Sequence, residues 1–582
     1  MRNRVVIALA SVLCLAAVPG ISAYSKKKAA DETRNFLKQV DADRKILQAL
    51  NRLTFGPRPG DVQDVKAIGL KKWIDQQLHP ESIAENPVLV EKLRTLDTLQ
   101  MSSTDLVRNY PSPQVVRQMV NGQLPFPTDP DRKLMLTRLV AKYEEKQAAG
   151  AKPDAPPNPM GDPKTLATLL TPREIRSLRM GTPQEKLAAF QALPKDKQDD
   201  VIAVLPQGMR QGLFTIAPPD LRRRIQMTGG PQQMVARDLA EGKLLRAVYS
   251  DRQLDEVLTD FWFNHFNIYL DKGADRYLVT EYERDVIRPH VLGKFKDLLV
   301  ATAKSPAMLF YLDNWQSVGP DAPQLRGKKG ARGLNENYGR ELLELHTLGV
   351  DGGYTQHDVT EAARCFTGWT INQPQRGGTF AFNKRVHDDG EKTVLGVKIP
   401  AGGGMSDGEK VLDIVAHHPS TAHFIAKSLA TRFVADEPPA ALVGRMAATF
   451  TKTDGDLRAV MRTMLESREF FSEGAYRSKL KSPLEVVASA VRAVNGEIDY
   501  AFPLANQVSQ LGQPLYRKQE PTGYSNSSME WLNSGGLLAR MNFALQLADN
   551  KVPGVKVDAT KLAKADDPIA GIALGSPEFQ KR

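Results

Sequence analysis

The chain has 582 residues and a formal charge of +11, from 78 Lys and Arg against 67 Asp and Glu. That length can bury a large core. Two cysteines exclude a disulfide-stapled scaffold, and nine histidines argue against a histidine-rich protein holding several metals.

The first 23 residues read as a secretory signal. Arg2 and Arg4 supply a positive start, Val5 to Val18 an apolar run, and Pro19-Gly20 a break before Ile21-Ser22-Ala23. The apolar run is shorter than the roughly 20 residues that span a bilayer, so cleavage after Ala23 is expected rather than anchoring. Leu13 before Cys14 lacks the small residue of a lipoprotein signal, and Arg2-Asn3-Arg4 is not a twin-arginine pair. The expectation is an exported protein, periplasmic or extracellular, with no transmembrane span after cleavage. Removing Arg2 and Arg4 takes the charge from +11 to +9. In an exported protein that excess suits an anionic envelope polymer, or plain solubility, better than nucleic acid. Cys365 is then unpartnered, and among Ala362, Ala363 and Phe366 it reads as a small buried hydrophobe.

Residues 24–110 read as an N-terminal helical part of the core, with RKILQALNRLTFG offering apolar residues at helical spacing. Residues 111–230 differ. They open as a Pro-rich linker (LPFPTDP, AGAKPDAPPNPMGDPK) with one helical piece, Arg132 to Lys146. Prolines then recur at Pro172, Pro183, Pro194, Pro206 and Pro218, each opening a short amphipathic piece. Units with one apolar stripe must stack to bury it, so an inserted short-helix repeat array is predicted over 171–226. It could be a spacer or a recognition surface. Arg222 to Arg224 read as a solvated helix end or a polyanion clamp. Residues 231–582 form the main helical domain, with strand signals near 379–399, where TFAFNKRVHD and KTVLGVKI suggest a small β-hairpin. The fold class is mainly α, with a multi-helical globular core.

Chemistry-bearing side chains concentrate in three places. In DEVLTDFWFNHFNIY, His265 ends the apolar face of Val257, Leu258, Phe261 and Trp262, as a core histidine or as a metal ligand with a depressed pKa. In NENYGRELLELHTLG, an ideal wheel gives the apolar stripe Tyr338, Leu342 and Leu345 and a polar face of Asn337, Arg340, Glu341 and Glu344. The two carboxylates could bind a cation or share a proton, or Arg340 and Glu344 could pair at i, i+4. His346 follows Glu344 by two residues, so the Glu-x-x-His pattern of di-iron bundles is absent. Thr355 and Asp358 make a capping box, and Gly368 suits a left-handed helix end. His387 and Asp388 precede a turn at Asp389-Gly390, as a metal or catalytic pair or as a turn device. His-Glu-x-x-His, Gly-x-Ser-x-Gly, a phosphate loop and Cys-x-x-Cys are all missing.

Together NRLTFGPRPGDV, FWFNHF, MLFYLDNWQSVG, GLNENYGRELLELHTLGVDGGYTQHDVTEAARCFTGWT, HDDGEKTVLG, HHPSTAHFIAKSLATRFVAD, LGQPLYRKQEPTGY and LGSPEFQKR resemble the domain-of-unknown-function family numbered 1800, a group of exported bacterial proteins. Residues 111 to 230 look like an insertion in it. The resemblance implies export and an exported alkaline-phosphatase-like partner protein, and it carries over no catalytic residues. The expected function is an envelope or extracellular binding or assembly protein acting with a partner. The alternative is a metal-assisted hydrolase of an envelope polymer. There His265, His346, His387 and Asp388 would hold a divalent metal, Glu341 or Glu344 would act as base, and Arg340 would hold an anionic substrate group. The enzyme requires these side chains to share one cleft. The binding protein requires them to disperse into ion pairs beside an exposed apolar patch.

Overall fold

Short polar side chains set where the helices begin. Asp41, Asn86, Ser102, Ser112, Thr171, Thr182, Thr355, Asp456 and Ser482 each accept a backbone N–H from the first helical turn, satisfying a donor that the helix itself leaves unpaired. The computed structural model describes residues 34–129, 165–228, 230–320, 333–532, 534–558 and 574–582, with isolated positions between 132 and 140. The predicted export signal lies outside the described residues, as do most of the helical piece over Arg132 to Lys146 and the Pro-rich stretch 141–164.

The architecture is mainly α. Among the described residues the β-structure amounts to three antiparallel two-stranded ribbons. The predicted hairpin over 379–399 forms differently. Thr379–Phe382 pairs backwards with Trp369–Asn372, and Lys392–Val394 pairs with Val397–Ile399. The reason is local. Leu395 and Gly396 both take positive φ, at 50° and 77°, which makes a two-residue turn whose twist matches a ribbon. KTVLGVKI therefore closes on itself and leaves TFAF to pair elsewhere.

One hydrophobic core runs from Ala49 to Leu574. The helix Gln253–His265 threads it, burying Leu254, Val257, Leu258, Phe261 and Trp262. The indole N–H of Trp262 donates to the Val291 carbonyl at 3.2 Å. The short helices Leu166–Leu169, Pro172–Met180, Pro183–Gln191, Lys195–Val204, Gln207–Ile216 and Pro219–Met227 bury a separate cluster around Phe190, Val201, Ile202 and Leu213. Pro172 and Pro183 sit in the first helical turn behind threonine caps, whereas Pro194, Pro206 and Pro218 occupy the cap position itself.

Arg222 to Arg224 are neither solvated nor a free clamp. Arg222 pairs with Asp499 at 2.6 Å and Arg224 with Asp199 at 2.5 Å. Arg223 sits between Asp97 and the buried Asp238. The short-helix array is thereby tied by ion pairs to the N-terminal part and to the main helical domain. At the other end of the chain, Arg582 is buried, bonded through its backbone to Lys479 and through its guanidinium to Glu485 at 2.8 Å.

Candidate functional site

The seven candidate residues fall into three groups. The first lies under a widened turn. After Asn337–Glu341 the helix continues as a π-turn over Leu342–Thr347, with Leu348 N–H reaching the Leu343 carbonyl at 2.9 Å. One extra residue per turn rotates the register. Leu343, His346 and Thr347 face inward with Leu342, while Leu345, expected in the apolar stripe, is only half-buried. His346 lands 6.4 Å from His265 between ring centroids and 5.0 Å from Phe266, while His265 meets Trp262, Phe266 and Phe424. His265 Nε2 is 3.1 Å from the His346 carbonyl and so carries the proton donated to it. Burial depresses His265 to about 4 and His346 to about 3, with the second imidazole adding to the effect on His346. Both are neutral at physiological pH. His346 Nε2 has no hydrogen-bond partner.

The second group is the polar face of the same helix. Glu341 is half-buried, and its carboxyl is raised by burial and by Glu344 against the opposing charge of Arg340. Glu344 accepts the Tyr354 hydroxyl at 3.0 Å. Arg340 turns away from Glu344, its expected partner, and bonds Gln356 at 2.9 Å and Glu336 at 3.3 Å. The two asparagines near His265 are committed to backbone. Asn264 bonds both ways with Tyr524, and Asn267 donates to the carbonyls of Lys518 and Glu520.

The third group is separate and almost wholly buried. Arg364 forks onto Asp388 at 2.7 and 3.1 Å and reaches Glu361 at 2.6 Å. Hydrogen bonds from Arg364 and Gly390, outweighing burial, hold the Asp388 carboxyl below its usual range. His387 lies 2.7 Å from the Thr367 carbonyl and 3.3 Å from Asp407, which also accepts Lys392 at 2.7 Å. Sequence reading left Glu361 and Arg364 without a role and missed Lys392 and Asp407. Lys392 had a signal: it shares the inward face of its strand with Val394. The Thr355 and Asp358 capping box forms, and Asp358 also accepts Leu395 N–H at 2.7 Å.

Most of these polar groups find partners close to home, and His387 and Asp388 lie in a different cluster from His265 and His346. Among the described residues no three His, Cys, Asp or Glu side chains come together to hold a metal ion. The side chains named for one metal thus fall into separate local groups.

A surface feature that sequence reading passed over is the helix Ser534–Ala548. Arg540, Phe543, Ala544 and Leu547 are buried, yet Leu537, Leu538, Met541 and Leu545 point outward, with Leu538 60% and Met541 52% exposed. Met529 and Leu532 are exposed just before it. GLLARMNFALQLA interrupts its apolar residues only with Arg540, Asn542 and Gln546, so its periodicity did not say which face would be covered.

A family model described as a protein of unknown function (DUF1800) matches residues 48–580. No curated protein and no solved structure matches the chain.

Proposed function

Since the chain belongs to the DUF1800 family, we propose that it is an exported binding or assembly protein that docks a second exported protein on the helix Ser534–Ala548. The observation that carries this reading is the outward row of Leu537, Leu538, Met541 and Leu545. Contiguous apolar surface of this kind marks interaction sites on soluble proteins. Leu538 and Met541 are exposed enough that covering them would yield much of the roughly 1.5–3 kcal/mol available from burying such a side chain, set against the cost of association. No acidic or basic side chain lies on this row, so the partner's matching face is apolar. The division of the polar candidates into separate local groups supports the same reading.

The test is co-expression with the alkaline-phosphatase-like partner, followed by size-exclusion chromatography with light scattering. The native chain is expected to co-elute with the partner, and a Leu538→Glu/Met541→Glu variant to elute alone with an unchanged melting temperature. Separate elution of the native chain, or a complex that survives both substitutions, overturns the reading.

A further inference from the structure

A large cavity near the surface lies between the short-helix array and the main domain. It encloses about 650 Å³ between the helices Gln207–Ile216 and Pro219–Met227 on one side and residues 499–506 on the other. An adjoining hollow of about 300 Å³ shares Gln233, Arg237 and Phe502 with it, so the two form one groove. We propose that this groove binds an acidic oligosaccharide, whose carboxylates are held by Arg210 and Arg237.

The charge balance points to an anion. The main cavity is lined by Arg210, Arg222 and Arg237 and by one acid, Asp499, which is taken up by Arg222 and leaves Arg210 and Arg237 uncompensated. The adjoining hollow adds Arg276 and Arg517, which lean on the single Asp271. Arg237 has no carboxylate partner among the described residues. Its guanidinium lies 4.2 Å from the centroid of the Phe502 ring and reaches the Tyr500 hydroxyl at 3.3 Å. Among the described residues Arg210 bonds only the carbonyls of Leu205 and Ala203, and its Nε has no hydrogen-bond partner. Glu241 stands nearby, with Ala501 N–H on its carboxyl. Burial pushes that carboxyl up to about 8, which weakens its opposition to the charge of Arg237. A guanidinium offers a planar fork that matches a carboxylate.

The rest of the lining selects among anions. Gln207, Gln211, Gln226, Gln233 and Asn506 present amides, which both donate and accept and so suit a ligand dense in hydroxyls. Phe214 and the rim residues Pro503 and Pro553 give apolar wall for the C–H faces of sugar rings. Stacked nucleobases fit less well, because Arg237 lies over the Phe502 ring and Arg222 lies 5.5 Å over Tyr500. Phe214 meets Tyr500 edge-on at 5.3 Å. A free phosphate would need neither the apolar wall nor the amides.

The test is isothermal titration of the purified chain with tetragalacturonate, neutral cellotetraose, inorganic phosphate and a short single-stranded DNA. Tetragalacturonate alone is expected to bind. Arg237→Gln and Arg210→Gln should each weaken that binding about tenfold or more at an unchanged melting temperature, and Arg237→Lys should keep part of it. If one glutamine variant fails to fold, the other still reads the site. Absence of tetragalacturonate binding, equal binding of the neutral sugar, preference for phosphate or DNA, or full affinity in a folded glutamine variant would each overturn the proposal.

Discussion

The buried pair His265 and His346 makes part of the fold acid-sensitive, and His346→Leu isolates that part. Their folded pKa values are about 4 and about 3, against roughly 6.5 in an unfolded chain. A histidine depressed in this way contributes stability that is fully present above the unfolded value. That stability is lost as pH falls toward the folded value, because the unfolded chain takes up the proton first. From pH 7 to pH 5 each histidine should cost about 2 kcal/mol, at about 1.4 kcal/mol per pH unit below 6.5. Glu241 and Asp255, raised to about 8 and about 7, act in the opposite sense: they lose stability as pH rises through the same window. The native curve alone therefore reads only the balance, and the variant is needed to separate it. His346→Leu removes a ring nitrogen that has no partner and keeps an apolar side chain in place, so stability at pH 7 should change by only about 1 kcal/mol. At pH 5 the variant should gain about 2 kcal/mol relative to the native chain, compared with pH 7. Urea midpoints measured from pH 7 down to pH 5, converted with the fitted slopes, give the difference directly. Parallel pH curves for the two proteins would refute the burial argument.

Asp407→Ala should cost about 3–5 kcal/mol in urea unfolding, because it leaves the Lys392 ammonium buried without its carboxylate; a cost under about 1 kcal/mol would deny the pair its role. Gly408→Ala would bring a Cβ within 2.7 Å of the Trp369 indole and 3.0 Å of Phe366, and such overpacking against rigid rings should cost about 1–3 kcal/mol, visible also as a shift in tryptophan emission. Burial raises the Cys365 thiol to about 12, so a thiol reagent at mildly alkaline pH should leave it untouched until guanidinium is added. Prompt labelling of the folded chain would contradict that.

Helix starts were readable from sequence because caps and first-turn prolines act over three or four residues, as at Thr171-Pro172, Thr182-Pro183 and Thr355. A small hairpin does form within 379–399, but inside KTVLGVKI alone, and spacing could not say so because both TFAF and KTVLGVKI alternate. Only the positive φ at Leu395 and Gly396 decides which pairs with which. The π-turn at Leu342–Thr347 leaves no mark in composition, yet it exchanges Leu345 for Leu343 on the inward face and carries His346 inside. The pairing of Arg364 with Asp388, 24 residues apart, and of Arg340 with Gln356 instead of Glu344, are products of packing that spacing rules do not reach. Lys392 was the readable exception, since strand alternation alone puts it beside Val394.

Arg223 binds Asp97 from before the short-helix array and Asp238 from after it, while Arg222 reaches Asp499. Asp238 is 1% exposed, and freeing it would strand a carboxylate inside the protein. The array is therefore expected to show no melting transition of its own. A calorimetric scan should show it leaving with the main domain as one cooperative unit, and the walls of the groove between them keep their spacing until the whole chain gives way.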